Sequence, residues 1–304
     1  MSSEYNDEEN NLRYIVNDDR TLSVKGPIDS ELADWVCIIP EEYEGIKVTS
    51  IGKHAFLGCS KLASITIPGS VTSIGSYAFY DCYSLTSITV SDNNKYYKSI
   101  DGVLFDNNVQ KIIAYPCGKS SNYYTIPDSV TSIGSFAFEG CSNLNSITIP
   151  DSITSIGNFA FYGCSGLTSI TVSGNNKYYK SIDGVLFDKN VQKIIAYPCS
   201  KSSNYYTIPD SVTSIGEYAF WYCYSLTSIT IPKSVTSIGD GAFRDCYSLN
   251  SITIPDSVTS IGDGAFRECS SLTEIHINKP ENSISGSPWR APNGESIVKW
   301  QGQF

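Results

Sequence analysis

The sequence is poor in basic residues, and this scarcity excludes several kinds of partner. Lys and Arg number 21 against 31 Asp and Glu, which gives a formal net charge of −10 and a pI of about 4.7. A nucleic-acid partner requires a basic surface that displaces counterions, so we expect no nucleic-acid binding. Anionic membrane surfaces are disfavoured for the same reason. No apolar run approaches the roughly 20 residues that span a bilayer, and we expect no membrane insertion.

Patterns typical of catalysis and metal binding are also missing. The two histidines, His54 and His276, are far apart in the chain, so we expect no Ser-His-Asp arrangement. Ten cysteines include no C-x-x-C pair, which disfavours a zinc site. Asp101-Gly102 and Asp183-Gly184 do not fit an EF-hand loop and instead indicate turns. We therefore predict no catalytic residue, no metal site and no cofactor.

The first residues do not resemble an export signal. They read MSSEYNDEENN, which is acidic and polar, whereas a secretory signal has a basic start and an apolar middle. Two interpretations stay open: a cytoplasmic protein, or an exported protein whose signal has been removed.

The sequence does contain an internal repeat with two levels. Seven segments share the form A-F-x-x-C. Within a run, successive segments are one short period apart, as Cys59 and Cys82 show. Two longer steps, of equal length, lead from Cys82 to Cys141 and from Cys164 to Cys223. A super-unit made of one short and one long step therefore recurs.

Two stretches of the chain are near copies of each other. They are residues 95–134 and 177–216, and each lies within one of the long steps. They differ at two positions only, Asn107 against Lys189 and Gly118 against Ser200. The duplicated stretch is thus the irregular part of the super-unit.

One regular coil runs from residue 144 to 166 and reads LNSITIPDSITSIGNFAFYGCSG. Its isoleucines alternate with Ser and Thr at strand spacing, so one face is apolar and the other carries hydroxyls. Pro150 ends the strand. The spacing of Ala160, Phe161 and Cys164 predicts a short helical turn that buries all three. A coil this short buries too little apolar surface to order its backbone alone, so the coils must stack into a solenoid.

The regular coils are interrupted and flanked by irregular segments. Strand-like GVLFD and VQKIIAYP, joined by Asn107-Asn108 or Lys189-Asn190, predict inserted β-hairpins. Residues 1–11 are expected to be a disordered acidic tail, and residues 12–48 an N-terminal cap with the first irregular coil. Residues 49–277 are the predicted solenoid, with irregular segments at 91–126 and 173–208. Residues 278–304 are the predicted C-terminal cap, in which Trp289 and Trp300 close the last coil.

The repeat resembles a known family. The pattern LxxIxIPxxVxxIGxxAFxxC, in residues 144–164 and six relatives, is similar to the BspA-like leucine-rich repeat. The YKSIDGVLF, IIAYP, YTIP and SISGSPWRAPN segments also resemble that family, over about residues 36–300. The resemblance implies a right-handed, β-rich leucine-rich-repeat solenoid of about 23 residues per coil. It further implies a bacterial protein that is exposed on the cell surface or secreted, and no catalytic residue.

The cysteines of the repeat are expected to form one internal column of reduced thiols. Their Cβ atoms point the same way at the coil spacing, which is unfavourable for a disulfide between neighbours. Cys37, Cys117 and Cys199 lie outside the column, and their state is left open. The predicted column consists of Cys59, Cys82, Cys141, Cys164, Cys223, Cys246 and Cys269.

Two outward surfaces are candidates for binding. One is a hydroxyl ladder on the strand face: Ser64, Ser87, Ser146, Ser169, Ser228 and Ser251 beside Thr66, Thr89, Thr148, Thr171, Thr230 and Thr253. The other is an aromatic ridge beside the cysteine turns: Tyr80, Tyr83, Tyr162, Trp221, Tyr222, Tyr224 and Tyr247. A solvated face and packing between turns are the alternative interpretations of these patterns.

The sequence and the resemblance together favour a monomeric, non-catalytic adhesion module. Its expected partners are host matrix proteins, other cells or glycans. A structural spacer without a specific ligand is the main alternative, and a hydroxyl ladder that binds ice or another crystal is a minor one.

Overall fold

The computed structural model describes residues 4–302 and consists almost entirely of β-strands and turns. The first half of the chain contains β1 (Glu4–Asp7), β2 (Leu12–Val16), β3 (Leu22–Pro27), β4 (Trp35–Ile38), β5 (Glu42–Tyr43), β6 (Ile46–Ile51), β7 (Leu62–Ile67), β8 (Ser73–Ile74), β9 (Ser87–Val90), β10 (Tyr97–Ile100), β11 (Val103–Asp106), β12 (Lys111–Ala114), β13 (Tyr123–Thr125), β14 (Ser132–Ile133) and β15 (Ser146–Ile149). The second half contains β16 (Ser155–Ile156), β17 (Ser169–Val172), β18 (Tyr179–Ile182), β19 (Val185–Asp188), β20 (Lys193–Ala196), β21 (Tyr205–Thr207), β22 (Ser214–Ile215), β23 (Ser228–Thr230), β24 (Ser237–Ile238), β25 (Ser251–Ile254), β26 (Ser260–Ile261), β27 (Glu274–Ile277), a 3₁₀ helix (Gly294–Ile297) and β28 (Val298–Trp300).

The chain is a β-solenoid of about 23 residues per coil, as the repeat predicts. It divides into two compact units. Unit 1 comprises Met1–Ser121, Pro127–Asn143 and Ser155–Tyr162, and unit 2 comprises Asn122–Ile126, Leu144–Thr154 and Gly163–Phe304.

Unit 1 contains three sheets. The first has the order β1-β2-β3-β6-β5, with β8 also paired to β6; the others are β4-β7-β9 and β10-β11-β12-β14-β16. In the parallel pair β7–β9, Ser64 lies opposite Ser87 and Ile65 opposite Ile88, so neighbouring strands are one repeat apart in the chain. The isoleucines are buried, which confirms the predicted alternation.

Unit 2 contains four sheets: β13-β15-β17, β18-β19-β20-β22-β24-β26, β21-β23 and β25-β27-β28. Ile147 lies opposite Ile170 in β15–β17, again one repeat apart. Near the end of the chain, β28 extends the sheet in parallel with β27, and Trp289 and Trp300 are buried. The ring of Trp289 lies edge-on to Phe266, with 6.1 Å between ring centroids.

The A-F-x-x-C segments are not helical, which corrects the predicted short helical turns. Each segment has a residue with left-handed backbone before the Ala and another before the Cys, for example His54 (φ 61°) and Gly58 (φ 72°). These residues stop the helical hydrogen-bond pattern after a single turn. They also aim backbone N–H groups at the next coil: Phe56 N–H donates to Ala78 O, and Gly58 N–H to Tyr80 O, both at 2.9 Å.

The same pattern in unit 2 stabilises the stacking of its coils. Phe220 N–H donates to Ala242 O, and Phe243 N–H donates to Ala265 O, both at 2.9 Å. The phenyl rings of Phe220 and Phe243 stack with their centroids 5.1 Å apart. The turn side therefore carries its own inter-coil ladder, in addition to the strands.

The seven cysteines of the repeat are all buried. Column thiols in both units donate to a carbonyl one coil away: Cys82 Sγ lies 3.1 Å from Phe56 O, and Cys269 Sγ lies 3.0 Å from Phe243 O. Burial raises the pKa of the Cys59 thiol to about 11 and that of Cys269 to about 12. These side chains are inert apolar groups in the core.

One column cysteine is not a thiol, which corrects the expectation of seven reduced side chains. Cys199, which the repeat pattern leaves outside the column, forms a disulfide with Cys223. The Cα atoms of the two residues are 4.4 Å apart. The geometric objection to a disulfide applies to neighbours within the column, and this bond instead joins a column residue to an irregular segment.

The duplicated segments form the predicted hairpins and add one more. In each copy the predicted strands pair antiparallel, as β11–β12 and β19–β20. A preceding strand closes a second hairpin, β10–β11, whose turn is Asp101-Gly102. Both turn residues are left-handed (φ 50° and 76°), which a tight two-residue hairpin turn requires. Because β12 then pairs in parallel with β14, the hairpin merges into the coils.

A buried asparagine fixes the start of each duplicated segment. Asn94 Nδ2 donates to the carbonyls of Pro68 (2.8 Å) and Val71 (3.0 Å) in the preceding coil. Its Oδ1 accepts from the backbone N–H groups of Tyr96 and Tyr97. Asn176 makes the equivalent bonds in unit 2.

The prediction of a disordered tail at residues 1–11 is wrong for the described part of that segment. β1 pairs antiparallel with β2, with Glu4 opposite Ile15 and Asp7 opposite Leu12. Asp7 is buried and accepts a hydrogen bond from Tyr14 Oη at 3.2 Å. Residues 1–3 of the predicted tail and the last two residues of the predicted C-terminal cap lie outside the described residues.

Candidate functional site

The residues of the predicted aromatic ridge fall into two groups, one in each unit. We call the group in unit 2 the Trp221 patch; it consists of Trp221, Tyr222, Tyr224 and Tyr247. We call the group in unit 1 the Tyr80 cluster; it consists of Tyr80, Tyr83 and Tyr162.

The Trp221 patch is held by a buried carboxylate that the sequence did not single out. Trp221 Nε1–H donates to Asp245 Oδ2 at 2.7 Å, and Tyr247 Oη–H donates to Asp245 Oδ1 at 3.2 Å. Asp245 is buried, and Arg244 Nε lies 3.4 Å from its Oδ2. The carboxylate of Asp245 therefore fixes the indole of Trp221 in one coil and the phenol of Tyr247 in the next.

The rings of Trp221, Tyr222 and Tyr247 form a chain of contacts, and the three tyrosines of the patch are exposed. Ring centroids are 5.0 Å apart for Trp221 and Tyr222, and 5.8 Å apart, edge to face, for Tyr222 and Tyr247. Tyr222, Tyr224 and Tyr247 are 36%, 44% and 38% exposed. Desolvation and the Asp245 charge raise the pKa of Tyr247 to about 12, so its hydroxyl remains a donor at neutral pH.

The backbone explains why the side chain of Tyr222 points outwards. Tyr222 is left-handed (φ 64°) at the position before the cysteine, where other coils have Gly58, Gly140 or Gly163. Its N–H donates to Arg244 O at 3.0 Å in the next coil. The left-handed backbone at this position also accommodates other side chains, as Asp81 (φ 60°) and Asp245 (φ 59°) show.

In the Tyr80 cluster, the ring of Tyr80 packs against several other rings. The ring of Tyr80 lies 6.3 Å from Tyr162 and 5.7 Å from Phe136, measured between centroids. Burial and the neighbouring Tyr162 hydroxyl raise the pKa of Tyr80 far above its ordinary value. Tyr83 is exposed, and its hydroxyl donates to the carboxylate of Asp81. Most of this cluster therefore packs between turns, which was the alternative interpretation.

The Tyr80 cluster also contains a buried glutamate that the sequence did not indicate. Glu139 Oε2 accepts from Asp81 N–H at 3.1 Å. Burial, together with the nearby carboxylate of Asp81, raises the pKa of Glu139 to about 7. The repeat pattern gives no signal for this group, because the equivalent position in other coils is Leu57, Tyr80, Tyr162, Trp221, Arg244 or Arg267.

The predicted hydroxyl ladder is present only in short pieces. Its residues lie on β7 and β9, on β15 and β17, on β23 and on β25, which belong to four different sheets. The carbonyl of Gly102 accepts from Ile88 N–H at 2.9 Å, so a hairpin tip covers the edge of β9. Gly184 and Ile170 repeat this contact at β17. The hydroxyl ladder is therefore divided among four sheets, and hairpin tips lie against it at β9 and β17.

The two histidines contact different groups. The ring of His54 packs against Tyr77, with 5.3 Å between centroids, and His276 Nε2 lies 2.9 Å from Glu274 Oε2. Among residues 4–302, no group of three His, Cys, Asp or Glu side chains has the geometry to hold a metal ion. Within the same residues, no helix combines the length and apolarity that crossing a membrane requires.

Known proteins similar to this chain are repeat proteins. The family described as BspA type leucine rich repeat region matches residues 42–115, 113–202 and 189–291, with six copies. A leucine-rich repeat protein of Eubacterium ventriosum shares 28% sequence identity, with a TM-score of 0.63 over 99% of this chain and 78% of that one. The pneumococcal vaccine antigen PcpA shares 19% identity, with a TM-score of 0.53 over 96% of this chain and 86% of that one.

No curated protein matches the sequence. The family match covers well over half of the chain. The chain belongs to the BspA-type leucine-rich repeat family.

Proposed function

We propose that the chain is a non-catalytic protein-binding module of a surface-exposed or secreted protein, and that it binds its partner through the Trp221 patch. The single observation that carries this proposal is that the buried Asp245 anchors the half-buried Trp221 and the exposed Tyr247, whose rings both contact the exposed Tyr222. Trp and Tyr are the residues most enriched where protein interfaces concentrate their affinity. Rings that are already fixed lose little conformational freedom on binding, so more of the contact energy appears as affinity.

The disulfide supports the proposed location. Disulfides persist in oxidising environments such as the cell exterior and are rare in the cytosol. The Cys199–Cys223 bond therefore favours exposure outside the cell over the cytoplasmic alternative. The family resemblance favours the same location.

The test is a binding array of the whole chain against extracellular matrix proteins and glycans. The patch variants are Tyr222→Gly and Tyr224→Ser, because other coils carry Gly and Ser at these positions and the fold tolerates them there. The matched control is Tyr123→Ser with Tyr205→Ser, which removes two exposed tyrosines outside the patch. We expect the Kd for a protein partner to rise by about 10-fold or more in the patch variants and to stay unchanged in the control.

Two outcomes would count against this function. Binding no stronger than that of an unrelated acidic protein would favour a structural spacer, which the regular inter-coil hydrogen bonds also support. Binding to glycans alone would replace the proposed protein partner by a carbohydrate.

A further inference from the structure

The Cys199–Cys223 disulfide joins an irregular segment to the A-F-x-x-C turn that follows it, 24 residues later. Cys199 lies in the second of the two near-identical copies. The first copy carries Cys117 at the same position, and Cys141 follows at the same separation in the next A-F-x-x-C turn. In the structure both Cys117 and Cys141 are buried thiols.

The backbone around the two cysteine pairs is held by the same hydrogen bonds. Two residues before the first cysteine, Tyr197 N–H donates to Ala219 O at 2.8 Å in unit 2. In unit 1, Tyr115 N–H donates to Ala137 O at 2.7 Å. Each bond ties the irregular segment to the turn that carries the second cysteine.

The residue after the first cysteine is anchored equivalently as well. Ser200 N–H donates to Leu167 O at 2.9 Å, and Gly118 N–H donates to Leu85 O at 2.8 Å. The second cysteines are fixed by matching turns: Cys223 N–H donates to Phe220 O at 3.2 Å, and Cys141 N–H to Phe138 O at 3.3 Å. The frame that places Cys199 and Cys223 within bonding distance is therefore reproduced in unit 1.

We propose that Cys117 and Cys141 form a second disulfide site, which closes when the protein meets a small-molecule disulfide oxidant such as oxidised glutathione. In the structure, Cys117 Sγ donates to Cys82 O at 3.0 Å, so the sulfur leaves this carbonyl when it bonds to Cys141. The bond would fasten the irregular segment of unit 1 to the next coil, as Cys199–Cys223 does in unit 2.

The reaction is a pair of thiol–disulfide exchanges. Cys117, the more exposed of the two, loses its proton and attacks one sulfur of oxidised glutathione, which releases one glutathione thiolate. Cys141 then loses its proton and attacks the Cys117 sulfur of the mixed disulfide, which releases the second glutathione. Two protein thiols are oxidised to one disulfide, and the oxidant's disulfide is reduced to two thiols.

The column cysteines provide an internal control. Cys59 and Cys82 are neighbouring column residues in the same unit, and no equivalent pair of column neighbours is bonded in unit 2, where Cys246 and Cys269 are thiols. Oxidation that joins cysteines indiscriminately would therefore also link column neighbours.

Peptide mapping tests the proposal on the full chain. The protein is reduced, then oxidised with a glutathione buffer until the Cys199–Cys223 link is complete, and the remaining thiols are alkylated. Trypsin releases Cys117 and Cys199 in the peptides IIAYPCGK and IIAYPCSK. Their masses differ because residue 118 is Gly and residue 200 is Ser, so the two copies can be told apart. The partner peptide of Cys117 also contains Cys164, so a Cys164→Ser variant assigns the link.

We expect IIAYPCGK to appear linked to the Cys141 peptide with the loss of two hydrogen atoms, in the wild type and in Cys164→Ser. The link should also form in a Cys199→Ser variant, since the two sites are independent. Alkylated Cys117 and Cys141 in a sample whose Cys199–Cys223 link is complete would overturn the proposal. A link from Cys117 to Cys82 or Cys164 would overturn it equally.

Discussion

Replacing Glu139 by glutamine should remove a pH dependence of stability that the wild type carries. Glu139 is buried in the Tyr80 cluster, where its carboxyl accepts one backbone hydrogen bond, from Asp81 N–H. Burial is the main cause of its raised pKa, and the charge of the nearby Asp81 raises the pKa further. A glutamine has the same shape, can accept the same hydrogen bond and carries no charge at any pH.

The size and sign of the effect follow from the pKa. The rise from 4.5 to about 7 corresponds to about 3.5 kcal/mol, at roughly 1.4 kcal/mol per pKa unit. Because the folded state holds the proton more tightly than the unfolded chain, this contribution is fully present below pH 4.5. It is lost as the pH rises through about 7. The wild type should therefore weaken between pH 5 and pH 8.5 relative to Glu139→Gln.

Urea unfolding of the full chain at several pH values provides the measurement. Hydrogen exchange of the peptide that contains Asp81 gives a local readout, since that amide donates to Glu139. Glu268→Gln is the matched control, because Glu268 is an exposed acid in another A-F-x-x-C turn and should leave the pH dependence unchanged. Parallel stability curves for the wild type and Glu139→Gln from pH 5 to 8.5 would refute the reasoning.

Three further substitutions test the packing and the turns, each by urea unfolding. Gly58→Ala should lower the free energy of unfolding by about 1–2 kcal/mol. The cause is the left-handed backbone alone, because no atom lies within 4 Å of the added methyl group. Gly174→Ala is the control: Gly174 is equally open but has no positive φ, so its substitution should be nearly neutral. Asn176→Ala should cost at least about 3 kcal/mol, since two carbonyls and two N–H groups each lose a hydrogen bond to the side chain. Asp245→Ala should cost about 2–3 kcal/mol and alter the fluorescence of Trp221, which loses its charged acceptor.

The regular coils could be derived from the sequence because each of their positions recurs seven times. The alternation of Ile with Ser and Thr fixes which strand face is buried, and Asp101-Gly102 predicts its own turn. The left-handed residues of the turns were missed, because Tyr, Phe, Asp and His occupy most of these positions instead of Gly. The spacing of the Ala, Phe and Cys therefore predicted a helical turn.

Features that occur once or twice could not be derived in the same way. Asn94 follows another asparagine in a turn-like SDNN stretch, and only the stacked coil shows that it is buried and fully hydrogen-bonded. Asp245 and Glu139 occupy positions where most other coils carry different residues, so no periodic signal marks them. The Cys199–Cys223 bond depends on how an irregular segment meets a regular turn, which the repeat spacing alone does not define.

The most direct test of the proposed binding surface is hydroxyl-radical footprinting of the full chain with and without a bound protein partner. We expect oxidation of Trp221, Tyr222 and Tyr224 to fall on binding, while oxidation of the exposed Tyr123 and Tyr205 stays unchanged. Protection of Tyr123 and Tyr205 with an unaltered Trp221 patch would contradict it.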